Sequence, residues 1–110
     1  MSTYKILYWK EIPTQVKFTD NDGNEASYPL SLFFQTAIDA IAMHDGSIKS
    51  GDYLDAWDWG ANIKTDLDPE QIINNYDNNI PKSFISKIKS LHDEGERSEL
   101  PGSIDKWFKN

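Results

Sequence analysis

The stretch "TYKILYWK" near the N-terminus alternates with a two-residue period: Tyr4, Ile6 and Tyr8 fall on one face, Leu7 and Trp9 on the other. Both faces are apolar and rich in β-branched and aromatic residues, which predicts a central strand. Pro13 has no amide hydrogen and is expected to stop or bend it. "TQVKFT" resumes the alternation, with Val16 and Phe18 on one face and Gln15 and Lys17 on the other. "DNDGNE" follows, and its Asp-Gly pair predicts a hairpin because both residues tolerate positive φ. "EASYP" is then the returning strand, ended by Pro29.

The pattern changes to a helical period in "SLFFQTAIDAIAMHDG". Phe34, Ala37, Ile38, Ile41 and Ala42 make one apolar stripe. Ser31 is placed to cap the first turn and Gly46 to close the last. "GDYLDAWDWG" alternates again and predicts a fourth strand, with Tyr53, Asp55, Trp57 and Trp59 on one face and Leu54, Ala56 and Asp58 on the other. Strand geometry would stand the two indoles side by side, about 6.5–7 Å apart. "DPEQIINNY" opens a helix with Asp68 as cap and Pro69 at its first position. "PKSFISKIKSLHDEG" restarts a helix with Phe84, Ile85, Ile88 and Leu91 on one side. The tail ends in an apolar knob, Ile104, Trp107 and Phe108. The order β-β-β-α-β-α-α predicts an α+β fold: a small antiparallel or mixed sheet with helices packed on one face.

Length and composition narrow this picture. The 110 residues suffice for one domain with one core. There is no cysteine, which removes disulfides, thiolate metal sites and cysteine nucleophiles and agrees with a reducing, cytoplasmic setting. The N-terminus lacks the pattern of a signal peptide, and no apolar run approaches the roughly 20 residues that span a bilayer. The expectation is a soluble protein without a membrane partner. Eleven basic against eighteen acidic residues give a net charge of −7, with Arg97 the single arginine. Such a surface repels a phosphate backbone and argues against nucleic-acid binding.

Candidate chemistry is sparse. With Gly23 at the sixth position of a calcium loop, Phe18 would stand first and Pro29 twelfth, where oxygen ligands are needed. His44 and His92 sit near predicted helix ends and have no metal-binding spacing. Asp55 and Asp58 fall on opposite faces of the predicted strand, so they do not make an acid–base pair. No phosphate loop, nucleophile elbow or catalytic triad spacing occurs. These readings assign no catalytic residue, no metal ligand and no cofactor. The one surplus is aromatic: four Trp, five Tyr and five Phe. Most would fill the core; tryptophan and tyrosine left outside it are favoured at binding hot spots.

"YKILYWKEIPTQVK", "YPLSLFFQTAIDAIAM" and "YLDAWDWG" together resemble the small bacterial virulence factor domain, which also occurs in proteins like conserved virulence factor C. The resemblance covers roughly residues 3–75; the helix and tail over 81–110 lie outside that shared core. Tyr8, Trp9, Lys10, Glu11, Pro13, Gln15, Trp57, Trp59 and Gly60 match its motif positions. The resemblance implies no reaction and no catalytic residue. It does imply an association with folate- and corrinoid-dependent one-carbon enzymes, and hence an accessory subunit.

Three functional readings follow. The first is a non-enzymatic cytoplasmic module that docks a protein partner on an aromatic shelf, with Trp9 and one of Trp57 and Trp59 partly exposed. Its binding residues would be Trp9, Lys10, Glu11, Gln15, Trp57 and Trp59. The second is a small-molecule binding or enzymatic subunit with a pocket between sheet and helices, lined by Trp9, Trp57 and Trp59, with Lys10 and Glu11 at its mouth. The third is homodimerisation through an exposed strand edge.

Overall fold

In a computed structural model, residues 2–108 are described. Strand β1 (Ser2–Trp9) runs into β2 (Ile12–Thr19) through a turn of two residues, Lys10 and Glu11. Lys10 adopts φ +49°, the left-handed conformation that tight hairpins demand and that lysine seldom adopts. Register pairs Tyr4 with Phe18, Ile6 with Val16 and Trp9 with Ile12. Leu7 faces Gln15 but Tyr8 faces Pro13, which leaves Thr14 as an extra residue in a bulge. The Thr14 hydroxyl donates to the Leu7 carbonyl at 2.7 Å. Pro13 was expected to stop or bend the first strand, but β1 already ends at Trp9. The proline lies inside β2, beside a bulge, where a missing donor is tolerated.

The Asp20–Gly23 turn forms as its chemistry demands. One Asp20 oxygen accepts from the amides of Asp22 and Asn24, each at 2.9 Å, and Gly23 takes φ +84°. Strand β3 (Glu25–Pro29) returns along β2. Helix α1 (Leu32–Asp45) is capped by the Ser31 hydroxyl and closed by Gly46. It buries the predicted stripe Phe34, Ala37, Ile38, Ile41 and Ala42.

The next segment departs from the alternation. Residues 51–56 are not strand: two single-turn helices, α2 (Ser47–Ser50) and α3 (Asp52–Asp55), are entered through left-handed Gly46 and Gly51. Tyr53 therefore leaves the face shared by the tryptophans, and its carbonyl accepts the Trp9 indole N–H at 3.1 Å. Only Trp57–Trp59 forms strand, β4, antiparallel to Leu7–Trp9. A short strand β5 (Ile63–Thr65), absent from the sequence reading, pairs Ser2–Tyr4 further along the same edge. The sheet is antiparallel throughout, in the order β3-β2-β1-β4 with β5 also on β1.

Helix α4 (Pro69–Asp77) carries a full capping box between Asp68 and Gln71. Helix α5 (Phe84–Asp93) packs on α1. The terminal 3₁₀ turn (Asp105–Phe108) docks as the apolar knob predicts, with Ile104 and Phe108 buried. Phe34, Tyr76, Phe84 and Phe108 form one aromatic cluster with ring centroids 5.2–5.9 Å apart. The architecture is the expected α+β one, with the core between the Ile6–Tyr8–Val16 face and the helices.

Gly60 shows how tightly β4 leaves the sheet. Its amide donates to the Ile6 carbonyl at 2.8 Å, and a Cβ there would stand 2.7 Å from Cε2 of Tyr8. Gly60→Ala should therefore cost about 1–3 kcal/mol in urea unfolding, the range for overpacking a filled site.

Candidate functional site

The "YWKEIP" motif builds its local geometry from the hairpin turn. Positive φ at Lys10 lets its amide reach the Ala56 carbonyl at 3.0 Å, joining the turn to the start of β4. The turn also throws two opposite charges toward α1 and the segment after α5. Glu11 is 1% exposed and takes a two-point contact from Arg97: Nε to Oε2 at 2.6 Å and Nη2 to Oε1 at 2.7 Å. The third arm of the guanidinium reaches Oδ2 of Asp45 at 2.8 Å. Lys10 Nζ joins the same oxygen at 3.1 Å, the Ser47 hydroxyl at 2.8 Å and Glu99 at 2.7 Å.

This cluster is closed on itself. Among the described residues, no buried side-chain nitrogen or oxygen lacks a hydrogen-bond partner. Burial opposes the charge of Asp45, but hydrogen bonds from Ser47, Arg97 and Lys10 outweigh it and hold the carboxyl well below its usual range. Burial likewise opposes the Arg97 charge, and the contacts to Glu11 and Asp45 overcome it and push its pKa up. Lys10 is also raised: burial works against its charge, and Glu99 and Asp45 more than compensate. A set of paired charges of this kind fastens chain segments together.

The predicted constellation is therefore divided. Trp9 is 0% exposed, which corrects the expectation that it lies partly open on a docking shelf. It is held by the Tyr53 carbonyl and by the Tyr53 ring, 6.4 Å away. Glu11 is inside the ion cluster rather than at a pocket mouth, and Lys10 is turned into the same cluster. Trp57, opposite Trp9 in the ladder, is half-buried against the core. Trp59 and Gln15 lie further along that same face, away from the hairpin turn: register sets both opposite Leu7, on its two sides. Trp59 is 37% exposed, with the ammonium groups of Lys5 and Lys17 at 4.8 and 5.8 Å from its ring. Trp57 and Trp59 do share one face of a strand, with Asp58 between them.

Among the described residues, no tryptophan lines either of the two clefts that open beside the sheet and α1. The larger, of about 340 Å³, opens between the strands and α4. Tyr4 and Ile63 stand on its sheet side, Asn75, Tyr76 and Asn79 on its helix side, and Asp105 at the terminal turn. The Tyr8 hydroxyl donates to the Asp105 carboxylate at 2.7 and 3.0 Å to its two oxygens. Burial, then the neighbouring Tyr76 and Asp105, push the Tyr8 phenol far above its usual range. Burial and Asp105 do the same to Tyr76. Sequence reasoning missed Asp105 because 97 residues separate it from Tyr8. It missed the role of Arg97 for the same reason, although a single arginine in an acidic chain was the available clue.

A family model described as "Virulence factor" matches residues 7–91, a span that runs from within β1 through both β4 tryptophans and most of α5. The chain belongs to the virulence factor family. No curated protein and no solved structure matches it at a significant level. Within this virulence factor domain the turn residues Lys10 and Glu11 lie inside the matched span, while their partners Arg97 and Glu99 lie beyond it. Five of the resemblance's motif positions thus have direct structural roles here: Tyr8 on Asp105, Trp9 in the core, Lys10 and Glu11 in the ion cluster and Gly60 in the approach to Tyr8.

Two outcomes follow for this cluster. Arg97→Ala leaves two buried carboxylates short of their main partner and should cost about 3–5 kcal/mol of stability. The depressed Asp45 pKa also sets a pH dependence: its folded value lies below the unfolded 3.8, so its contribution is complete above about pH 5. Stability should fall as pH drops through 3.8 toward the lower folded value. Urea midpoints across roughly pH 2–7 measure this, and Asp45→Asn should flatten the acid limb.

Proposed function

We propose that this virulence factor domain is a non-enzymatic interaction module, an accessory subunit that docks an acidic segment of a partner protein on the open face of its sheet. The observation that carries the reading is Trp59, exposed at the strand edge with Lys5 and Lys17 beside its ring. Lys64, opposite Thr3, adds a third lysine to the same face, against Glu25, which pairs with Lys17 at 3.0 Å. A protein of net charge −7 thus carries a local basic patch around one large aromatic side chain. Aromatic anchors dominate hot spots, and charge complementarity steers and orients the encounter. The absence of cysteine agrees with a cytoplasmic setting. The association implied by the family resemblance makes one-carbon and corrinoid-dependent enzymes the first partners to test.

The decisive comparison is capture from the native bacterial cell by the wild-type chain, by Trp59→Ala and by Lys5→Glu/Lys17→Glu. A stoichiometric partner should be held by the wild type, released by rising salt, and lost from both variants. Trp59→Ala should weaken that binding by ~2 kcal/mol or more while its urea midpoint stays close to wild type. Equal capture by all three chains would remove this face from consideration.

A further inference from the structure

We infer that two copies of this chain pair through the outer edge of β3, antiparallel and centred on Ser27, into one continuous sheet. This goes beyond the docking reading, which concerns a face of the sheet and not its edge. Among the described residues β3 pairs only β2, and four of its five residues are exposed. An unpaired edge offers a row of backbone donors and acceptors to another strand.

The register with β2 fixes which groups those are. Leu30 donates to the Thr14 carbonyl at 2.9 Å and Asp20 to the Asn24 carbonyl at 3.0 Å, at the two ends of the β2–β3 ladder. Hydrogen-bonded pairs alternate along an antiparallel ladder, so Ala26 and Tyr28 turn their amides and carbonyls toward Phe18 and Val16. Glu25, Ser27 and Pro29 turn theirs outward. The free edge therefore holds the N–H groups of Glu25 and Ser27 and the carbonyls of all three residues, since Pro29 has no donor.

This edge is self-complementary in one register. With Ser27 opposite Ser27 of the second copy, the two serines exchange a pair of bonds, and each Glu25 amide meets the Pro29 carbonyl of the other chain. Every outward amide of the two strands is then used. Sliding one copy so that Ser27 faces Pro29 puts the missing donors at the centre of the ladder. Sliding it the other way, so that Ser27 faces Glu25, brings the two glutamates diagonally together, an unfavourable contact between like charges. The centred register keeps them at opposite ends, each with its own Lys17 at 3.0 Å. It also sets the half-buried Tyr28 opposite the exposed Ala26 of the second copy, an aromatic ring beside a small residue that it can cover.

The pairing bears on the lysine patch as well. Lys5, Lys17 and Ser27 lie abreast on one face of the sheet. Two-fold pairing of antiparallel strands keeps that face on the same side in both copies, so two lysines from each chain line up in one row across the seam. Both Trp59 side chains then stand on that side, and the dimer presents its two docking patches together. The contact itself is one short strand, at the small end of specific interfaces, so the dimer is a weak and reversible one.

The test is sedimentation of the full chain together with amide hydrogen exchange, from about 10 μM to about 1 mM. A dimer should form reversibly as concentration rises. The amides of Glu25 and Ser27 should become protected as it forms, while those of Ala26 and Tyr28, already bonded to β2, stay unchanged. Added salt should strengthen the dimer because each copy carries a charge of −7, the reverse of its effect on docking to an acidic partner. Ser27→Glu places a carboxylate beside Lys17 of its own chain, which suits the monomer, but sets two carboxylates face to face across the seam. It should weaken dimerisation by about fivefold or more. Ser27→Pro removes the central donor from both copies and should weaken it by about tenfold or more, while Trp59→Ala should leave it unchanged. A chain still monomeric at about 1 mM, protection that rises elsewhere but not at Glu25 and Ser27, or wild-type dimerisation by a folded Ser27→Glu chain would overturn the assignment. Partner capture by the sheet-face variants reads the docking proposal alone, so the two ideas fail independently.

Discussion

The buried contact between Glu11 and Arg97 is the constraint around which this structure is organised. Two charges removed from water are costly unless each is met closely, and here each is met twice. Asp45 and Lys10 complete the set, so the end of α1, the first hairpin turn and the segment after α5 converge on one point. Apolar contacts tolerate sliding, whereas a forked guanidinium accepts its carboxylate in few geometries. The cluster therefore sets the register of elements that the hydrophobic core alone would hold less strictly. It also explains why a lysine occupies a left-handed turn position: Lys10 has polar partners there that repay the strain.

Around that point β1 works as the central member of the sheet. It pairs β2 along one edge and both β4 and β5 along the other, so its two faces have different duties. Ile6 and Tyr8 look into the core, and the Tyr8 hydroxyl reaches through to Asp105 and fastens the terminal turn. Lys5 and Leu7 look outward beside Trp59. The tryptophan pair of β4 is split accordingly: Trp57 leans on the core opposite Trp9, and Trp59 stays at the rim. The exposed aromatic group is thus carried on a strand whose neighbouring strand is anchored in the core, the kind of support that keeps a displayed side chain in place.

Local chemistry made much of this legible. Alternation placed β1, β2 and β3, the Asp-Gly turn joined the last two, and the apolar stripe of α1 matched its buried side residue for residue. Asp68 and Pro69 marked the start of α4. These features depend on periods of two and 3.6 residues and on caps, all of which are written within a few neighbouring positions. The stretch over 51–56 defeated the same logic. Its alternation suits a strand, yet Gly51 turns left-handed and Tyr53 is drawn under Trp9, an interaction across 44 residues.

The long-range pairings lay outside any reading of spacing. Whether Trp9 is core or surface depends on Tyr53 covering it, and whether Glu11 is exposed depends on Arg97, 86 residues away. A carboxylate in a turn looks the same in the sequence whether it faces water or a guanidinium. Strands β1 to β3, helices α1, α4 and α5, the Asp-Gly turn, the acidic charge and the lack of thiol chemistry belong to the chain as written. The closed ion cluster, the burial of Trp9, the exposure of Trp59 and the cleft beside Asp105 belong to the folded molecule. The reason is that burial and pairing are properties of groups brought together in space, and the entropy of closing such long loops is overcome only when the whole core forms at once.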